Sequence, residues 1–85
     1  MPDFSTINEV NLRDKARELH EAITAGEIRY EHVKGRRLLN IDRKIISIPV
    51  GLRYRLVYRE NAAGKLEFLR CLSHEAYNKW IGRFR

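Results

Sequence analysis

Eighty-five residues, 44% apolar and 33% charged, make a chain long enough for one hydrophobic core, too short for two, and too apolar for a disordered segment. Cys71 is the single cysteine, so an intramolecular disulfide is excluded. The sequence holds no CxxC pattern for a zinc ribbon and no run of about 18 apolar residues to span a membrane. Residues 1–85 are therefore read as one domain, with neither metal nor cofactor expected. The opening Met1-Pro2-Asp3-Phe4 lacks the basic start and apolar run of a signal peptide, and the expected location is the cytoplasm.

The net charge of +6 is unevenly distributed. Residues 1–26 carry three basic and five acidic side chains, whereas residues 27–85 carry fourteen basic and six acidic. The second segment attracts polyanions through Coulomb steering and counterion release, which makes nucleic acid a candidate partner. A solvated basic surface that keeps a small domain soluble would have the same composition.

In chain order, Asn11 is read as an N-cap with Asp14 at the third helical position. Leu12, Ala16, Leu19 and Ile23 then form one helical stripe that closes at Gly26. The outer face mixes signs, with Arg17 and Glu21 at attractive spacing. His20 lies between Leu19 and Glu21 and is assigned no role. From Glu27 to Asp42 the pattern is weak. Ile28, Val33, Leu38, Leu39 and Ile41 anchor a basic connection containing His32, Lys34, Arg36 and Arg37, with a short helical turn or an edge strand as its expected structure.

Lys44 to Val50 is rich in β-branched residues and ends at Gly51, where a hairpin turns into a strand from Leu52 to Arg59. Asn61-Ala62-Ala63-Gly64 supplies the next turn. Leu66, Phe68, Arg70 and Leu72 are then expected on one face of a further strand, against Glu67, Leu69 and Cys71. Ser73 is read as the N-cap of a short helix ending near Gly82, with Trp80 and Phe84 as core anchors. The expected fold is α+β: an N-terminal helix, or a helical hairpin, packed on a three- to four-stranded antiparallel sheet, with a short C-terminal helix on the same sheet face.

Two stretches carry candidate chemistry. Period-two geometry aligns Arg53, Arg55 and Arg59 on one side of their strand, where forked and permanently charged donors suit phosphate. The same row would also serve as a solvated face pairing with Glu67. Between Arg70 and Lys79 the chain gathers most of its acid–base groups, led by His74 at a helix start, with Tyr77 one turn on to orient it or to contact a phosphate. Cys71 reads as a small buried hydrophobe rather than a nucleophile.

Two motifs resemble the RelE/ParE superfamily of type II toxin–antitoxin toxins, and within it the small basic HigB-like and ParE-like members. Ile48-Pro49-Val50-Gly51-Leu52-Arg53-Tyr54-Arg55-Leu56 is similar to the family's strand, loop and "GxRYR" strand. Leu72-Ser73-His74-Glu75-Ala76-Tyr77-Asn78-Lys79 is similar to its terminal "SHxxYDK" signature, with Asn78 in place of the more usual Asp. With the basic His32 to Arg37 stretch, the resemblance spans roughly residues 9–82.

The resemblance implies an antiparallel sheet with helices on one side and, in ribosome-dependent members, cleavage of mRNA by attack of the 2′-OH on the neighbouring phosphate. Carried over, Arg53 and Arg55 would meet phosphate charge, His74 would act as acid or base, and Tyr77 would position. Arg59, Arg70, Lys79, Lys34, Arg36 and Arg37 would bind further RNA phosphates. The implied partners are RNA, including ribosome-bound mRNA, and an acidic antitoxin protein. ParE members share the fold but inhibit DNA gyrase without cleaving RNA, and an inactive nucleic-acid-binding relic is the remaining alternative.

Overall fold

A computed structural model describes residues 4–38 and 42–83, so Leu39, Ile41, Phe84 and Arg85 fall outside the described part of the chain. The first helix, α1, covers Val10–Thr24 and buries Ala16 and Ile23. It begins before the expected cap. Glu9, not Asn11, occupies the N-cap position in an extended conformation, and its side chain makes no capping bond. Tertiary anchoring decides this boundary: Phe4 and Ile7 are buried in the core, and the Arg13 guanidinium donates to the Ile7 carbonyl at 2.9 and 3.1 Å. At the other end Gly26 takes a positive φ of 76°, and the Glu27 N–H closes onto the Ala22 carbonyl at 2.9 Å, satisfying a helix-end acceptor. Arg17 pairs with Asp14 at 3.6 Å rather than with Glu21, in solvent where such a pair contributes little.

Both expectations for the basic connection are met, by a 3-10 turn at Tyr30–Val33 and a short edge strand, β1, at Arg36–Arg37. The remaining strands are β2 (Ile45–Val50), β3 (Tyr54–Glu60) and β4 (Leu66–Ser73), followed by α2 (His74–Gly82). The sheet is an antiparallel meander in the order β1-β2-β3-β4, so the architecture is α+β with a four-stranded sheet.

The two helices do not share a sheet face. Ile46, Ile48, Leu56, Tyr58 and Cys71 face α1 and form the main core with Ala16, Ile23 and the N-terminal Phe4 and Ile7. Ile45 and Val57 belong to a second cluster with Tyr77, Trp80 and Ile81 of α2. The physical cause lies in β2, whose Ile45, Ile46, Ser47 and Ile48 are all buried. A strand apolar at consecutive positions needs cover on both faces. The Ser47 hydroxyl, within the α2-side layer, is fully buried and has no hydrogen-bond partner among the described residues.

The expected alternation in β4 is broken by a bulge. Val57 pairs with Arg70 but Tyr58 pairs with Phe68, so Leu69 is the extra residue. Leu66, Phe68 and Cys71 consequently join the α1 face, while Arg70 and Leu72 turn to the α2 face. Without the extra residue Cys71 and Phe68 would lie on opposite faces, and the buried aromatic cluster around Tyr58 would lose one of its members.

Candidate functional site

The β2–β3 turn and the start of α2 meet at one end of the sheet. Gly51 turns the chain with φ +62°, and the turn leaves Leu52 and Arg53 exposed. Because Tyr54 pairs with Ser73, Arg53 falls opposite His74, and the His74 N–H donates to the Arg53 carbonyl at 2.6 Å. Ser73 caps α2 as its sequence position implied, its Oγ accepting from the Ala76 N–H at 3.2 Å. His74 is exposed at the first position of the helix, where the cap leaves its ring outside the packed face. One turn later, the Asn78 amide donates to His74 Nε2 at 3.2 Å, a contact that suits the neutral ring with its proton on Nδ1.

Asn78 therefore orients His74, a role the sequence reading placed on Tyr77. The Tyr77 ring is buried in the α2-side core, where the Arg55 guanidinium lies 4.7 Å from its centroid. Arg55 is half-buried and points from β3 against α2, held by its cation–π contact. Farther along α2 the same device recurs, with the Arg70 guanidinium 5.8 Å over Trp80. Two rungs of the sheet thus lean arginines against aromatic side chains of one helix.

The row of three aligned arginines is not an open stripe. Arg53 belongs to the turn and not to β3, Val57 is buried beneath α2, and Arg59 lies exposed near the opposite end of the strand, across from Glu67. Arg53 adjoins His74 through the backbone, Asn78 bonds the His74 ring, and Arg55 reaches α2 at Tyr77, with Lys79 exposed beside Asn78. Arg36 and Arg37 form the β1 edge of the sheet, three strands from β4, and Lys34 caps the Tyr30–Val33 turn that precedes it. Arg37 is further committed by a half-buried ion pair to Glu60 at 3.0 Å.

One polar centre escaped the sequence reading. His20 Nδ1 lies 2.8 Å from the Tyr58 hydroxyl, the two rings stack at 5.8 Å, and Phe4 and Phe68 meet the imidazole edge-on. Burial lowers the His20 pKa, with the nearby Glu21 opposing, and burial also pushes the Tyr58 hydroxyl upward, so both stay uncharged near neutrality. The signal was present, because His20 follows Ala16 at helical spacing and so flanks the apolar stripe.

Among the described residues no group of three or more His, Cys, Asp and Glu side chains could hold a metal ion, and no helix is long and apolar enough to cross a membrane. With the paired motifs now meeting at one end of the sheet, the family comparison is decisive. The family model described as the ParE-like toxin domain matches residues 10–79, which include α1, the whole sheet and most of α2. This chain belongs to the ParE-like toxin family. It is accordingly a RelE/ParE superfamily toxin of a toxin–antitoxin system, and a ParE-like toxin implies an antitoxin partner. Neither a curated protein nor a solved structure matches it.

Proposed function

We propose that this ParE-like toxin acts on RNA, cleaving the phosphodiester backbone at the end of the sheet where Arg53 adjoins His74. The reading is supported by the β3–β4 register, which makes Arg53 and His74 backbone neighbours at the turn end of the sheet, with the exposed His74 ring bonded to Asn78. His74 exchanges its bond from Asn78 for one to a ribose 2′-OH, and the Nε2 lone pair thus freed removes that proton. The 2′-oxygen then forms a bond to the adjacent phosphorus, the bond to the 5′-oxygen breaks, and the imidazolium returns its proton to that leaving oxygen. The products are a 2′,3′-cyclic phosphate and a 5′-hydroxyl. Arg53 and Arg55 offset the charge that develops on the phosphoryl oxygens, and the cation–π contact with Tyr77 limits the motion of Arg55.

Induced expression of the wild type, His74→Ala and Arg55→Ala, with mRNA ends mapped in the same cultures, tests this reading. Growth arrest with new ends that both variants lose supports it. Arrest without new ends would overturn it in favour of a protein target such as gyrase. That second reading draws support from Leu52, 96% exposed at the tip of the turn beside Arg53. An exposed leucine next to a cation suits a protein surface as well as a nucleic acid.

A further inference from the structure

A cavity of about 440 Å³ opens beside the end of α1, bounded by the Tyr30–Val33 turn and the β3–β4 turn. It lies near the end of the sheet opposite His74, since Glu60 and Leu66 are the last and first residues of β3 and β4, whereas α2 starts where β4 finishes. Ile23, Ile28 and Leu66, each at least partly buried, give it an apolar interior. The backbone around them offers a ligand little. The N–H groups of Ala25, Gly26 and Gly64 donate to the carbonyls of Glu21, Ile23 and Asn61, and Asn61 Oδ1 accepts the Lys65 N–H. The carbonyls of Arg29, Tyr30 and Lys65 in turn accept from the N–H groups of His32, Gly35 and Asn61. A neutral polar ligand such as a sugar needs unmet donors and acceptors around it, and along these walls they are already engaged. The side chains therefore set the chemistry. Arg37 and Glu60 compensate each other in their ion pair at 3.0 Å. Arg29, Lys65 and Glu31 remain, all exposed and none with a side-chain partner among the described residues, so the rim is net positive.

We infer that this cavity binds a small amphipathic anion, an aryl or alkyl carboxylate whose apolar body fills the interior while its carboxylate meets Arg29 and Lys65 at the rim. The volume falls in the range of small-molecule sites, about 300–1,000 Å³. Affinity comes from apolar area removed from water, and the two cations supply orientation and the choice of sign. An amine in place of the carboxylate would have Glu31 alone to meet, against two like charges. RNA fits less well, because a phosphate strand would run past Glu31 and Glu60 and the Tyr30 ring already lies under Arg37. The inference is independent of RNA cleavage, since none of the residues assigned to cleavage lines the cavity.

The probe is 4-phenylbutyrate, titrated at low salt into the isotopically labelled full chain and followed by amide NMR. Three comparisons separate its parts: 4-phenylbutanamide keeps the body without the charge, 4-phenylbutylamine reverses the charge, and propionate keeps the charge with little body. A short oligouridylate tests nucleic acid. Saturable shifts confined to residues 23–31 and 64–66 are expected with the phenylbutyrate, and none that saturate with propionate. Binding should weaken about fivefold for the amide, and by a similar factor for the carboxylate on Arg29→Gln/Lys65→Gln. Ala25→Phe, at an exposed position of the lining, should fill the void and abolish the shifts with both cations in place. Unchanged thermal unfolding of the unliganded variants keeps the comparison valid, and Lys65→Gln alone replaces the double variant if folding is impaired. Absent saturation, shifts located elsewhere, equal binding by the amine or the amide, oligouridylate binding at the same residues, or an affinity indifferent to the substitutions would each overturn the inference. None of these outcomes touches the cleavage assay.

Discussion

The hydroxyl of Tyr58 meets His20 Nδ1 at 2.8 Å in a cluster where Phe4, from the N-terminal segment, packs edge-on against both His20 and Phe68. This contact ties α1 to β3 and pins the segment before α1 to both. It also makes folding sensitive to acid. Burial lowers the His20 pKa below its ordinary value of 6.5, so the unfolded chain binds the proton more readily than the folded one. Stability is therefore expected to be undiminished above pH 6.5, to fall as the pH drops through that value, and to level off once the folded-state ring also titrates. Thermal unfolding of wild type and His20→Asn between neutral and mildly acidic pH checks this, and a wild-type profile no steeper than that of the variant would sink it.

Tyr77 serves the α2-side core and the placement of Arg55, and not the orientation of His74. Tyr77→Phe keeps the ring beneath Arg55 and is expected to retain toxicity within about twofold, a change of less than about 0.5 kcal/mol. Tyr77→Ala removes a buried aromatic and should cost about 3–5 kcal/mol of stability. Urea unfolding of both variants beside growth assays separates the two effects. Loss of toxicity in a fully folded Tyr77→Phe would return the hydroxyl to the chemistry.

Ser47 places a hydroxyl in the α2-side layer with no hydrogen-bond partner among the described residues. Removing an unsatisfied buried polar atom offsets the loss of a small contact, so Ser47→Ala is expected to stabilise the fold by about 1 kcal/mol. A denaturant midpoint shifted downward, with an unchanged slope, would contradict this.

Gly51 combines a left-handed backbone, φ +62°, with a Leu12 methyl 3.2 Å from where a Cβ would stand. Gly51→Ala is expected to destabilise by about 1 kcal/mol or more, through backbone strain and the displacement of Leu12. Because the same turn carries Arg53 to the side of His74, toxicity should fall further than stability alone explains. Parallel measurement of unfolding midpoint and growth arrest, at a temperature where the variant is fully folded, tests the point.

Much of this molecule was legible from local pattern. The stripe of Leu12, Ala16, Leu19 and Ile23 is realised in α1, Ser73 caps α2, and the turns at Gly51 and at Asn61 to Gly64 separate three of the strands. The two motifs at 48–56 and 72–79 identified the toxin family, because a turn, a strand and a capped helix start are each encoded by neighbouring residues. What local pattern could not decide was which face each strand presents. A single extra residue at Leu69 moves Cys71 into the α1-side core and Arg70 against Trp80, and nothing in the alternation of β4 marks it. Likewise, that Asn78 rather than Tyr77 holds His74 follows from α2 packing on the face opposite α1, which buries Tyr77 and leaves Asn78 outside. Element identity depends on propensity and spacing within a few residues, whereas side-chain direction at this site depends on strand register and on which layer covers it, and those are set only when distant segments pack.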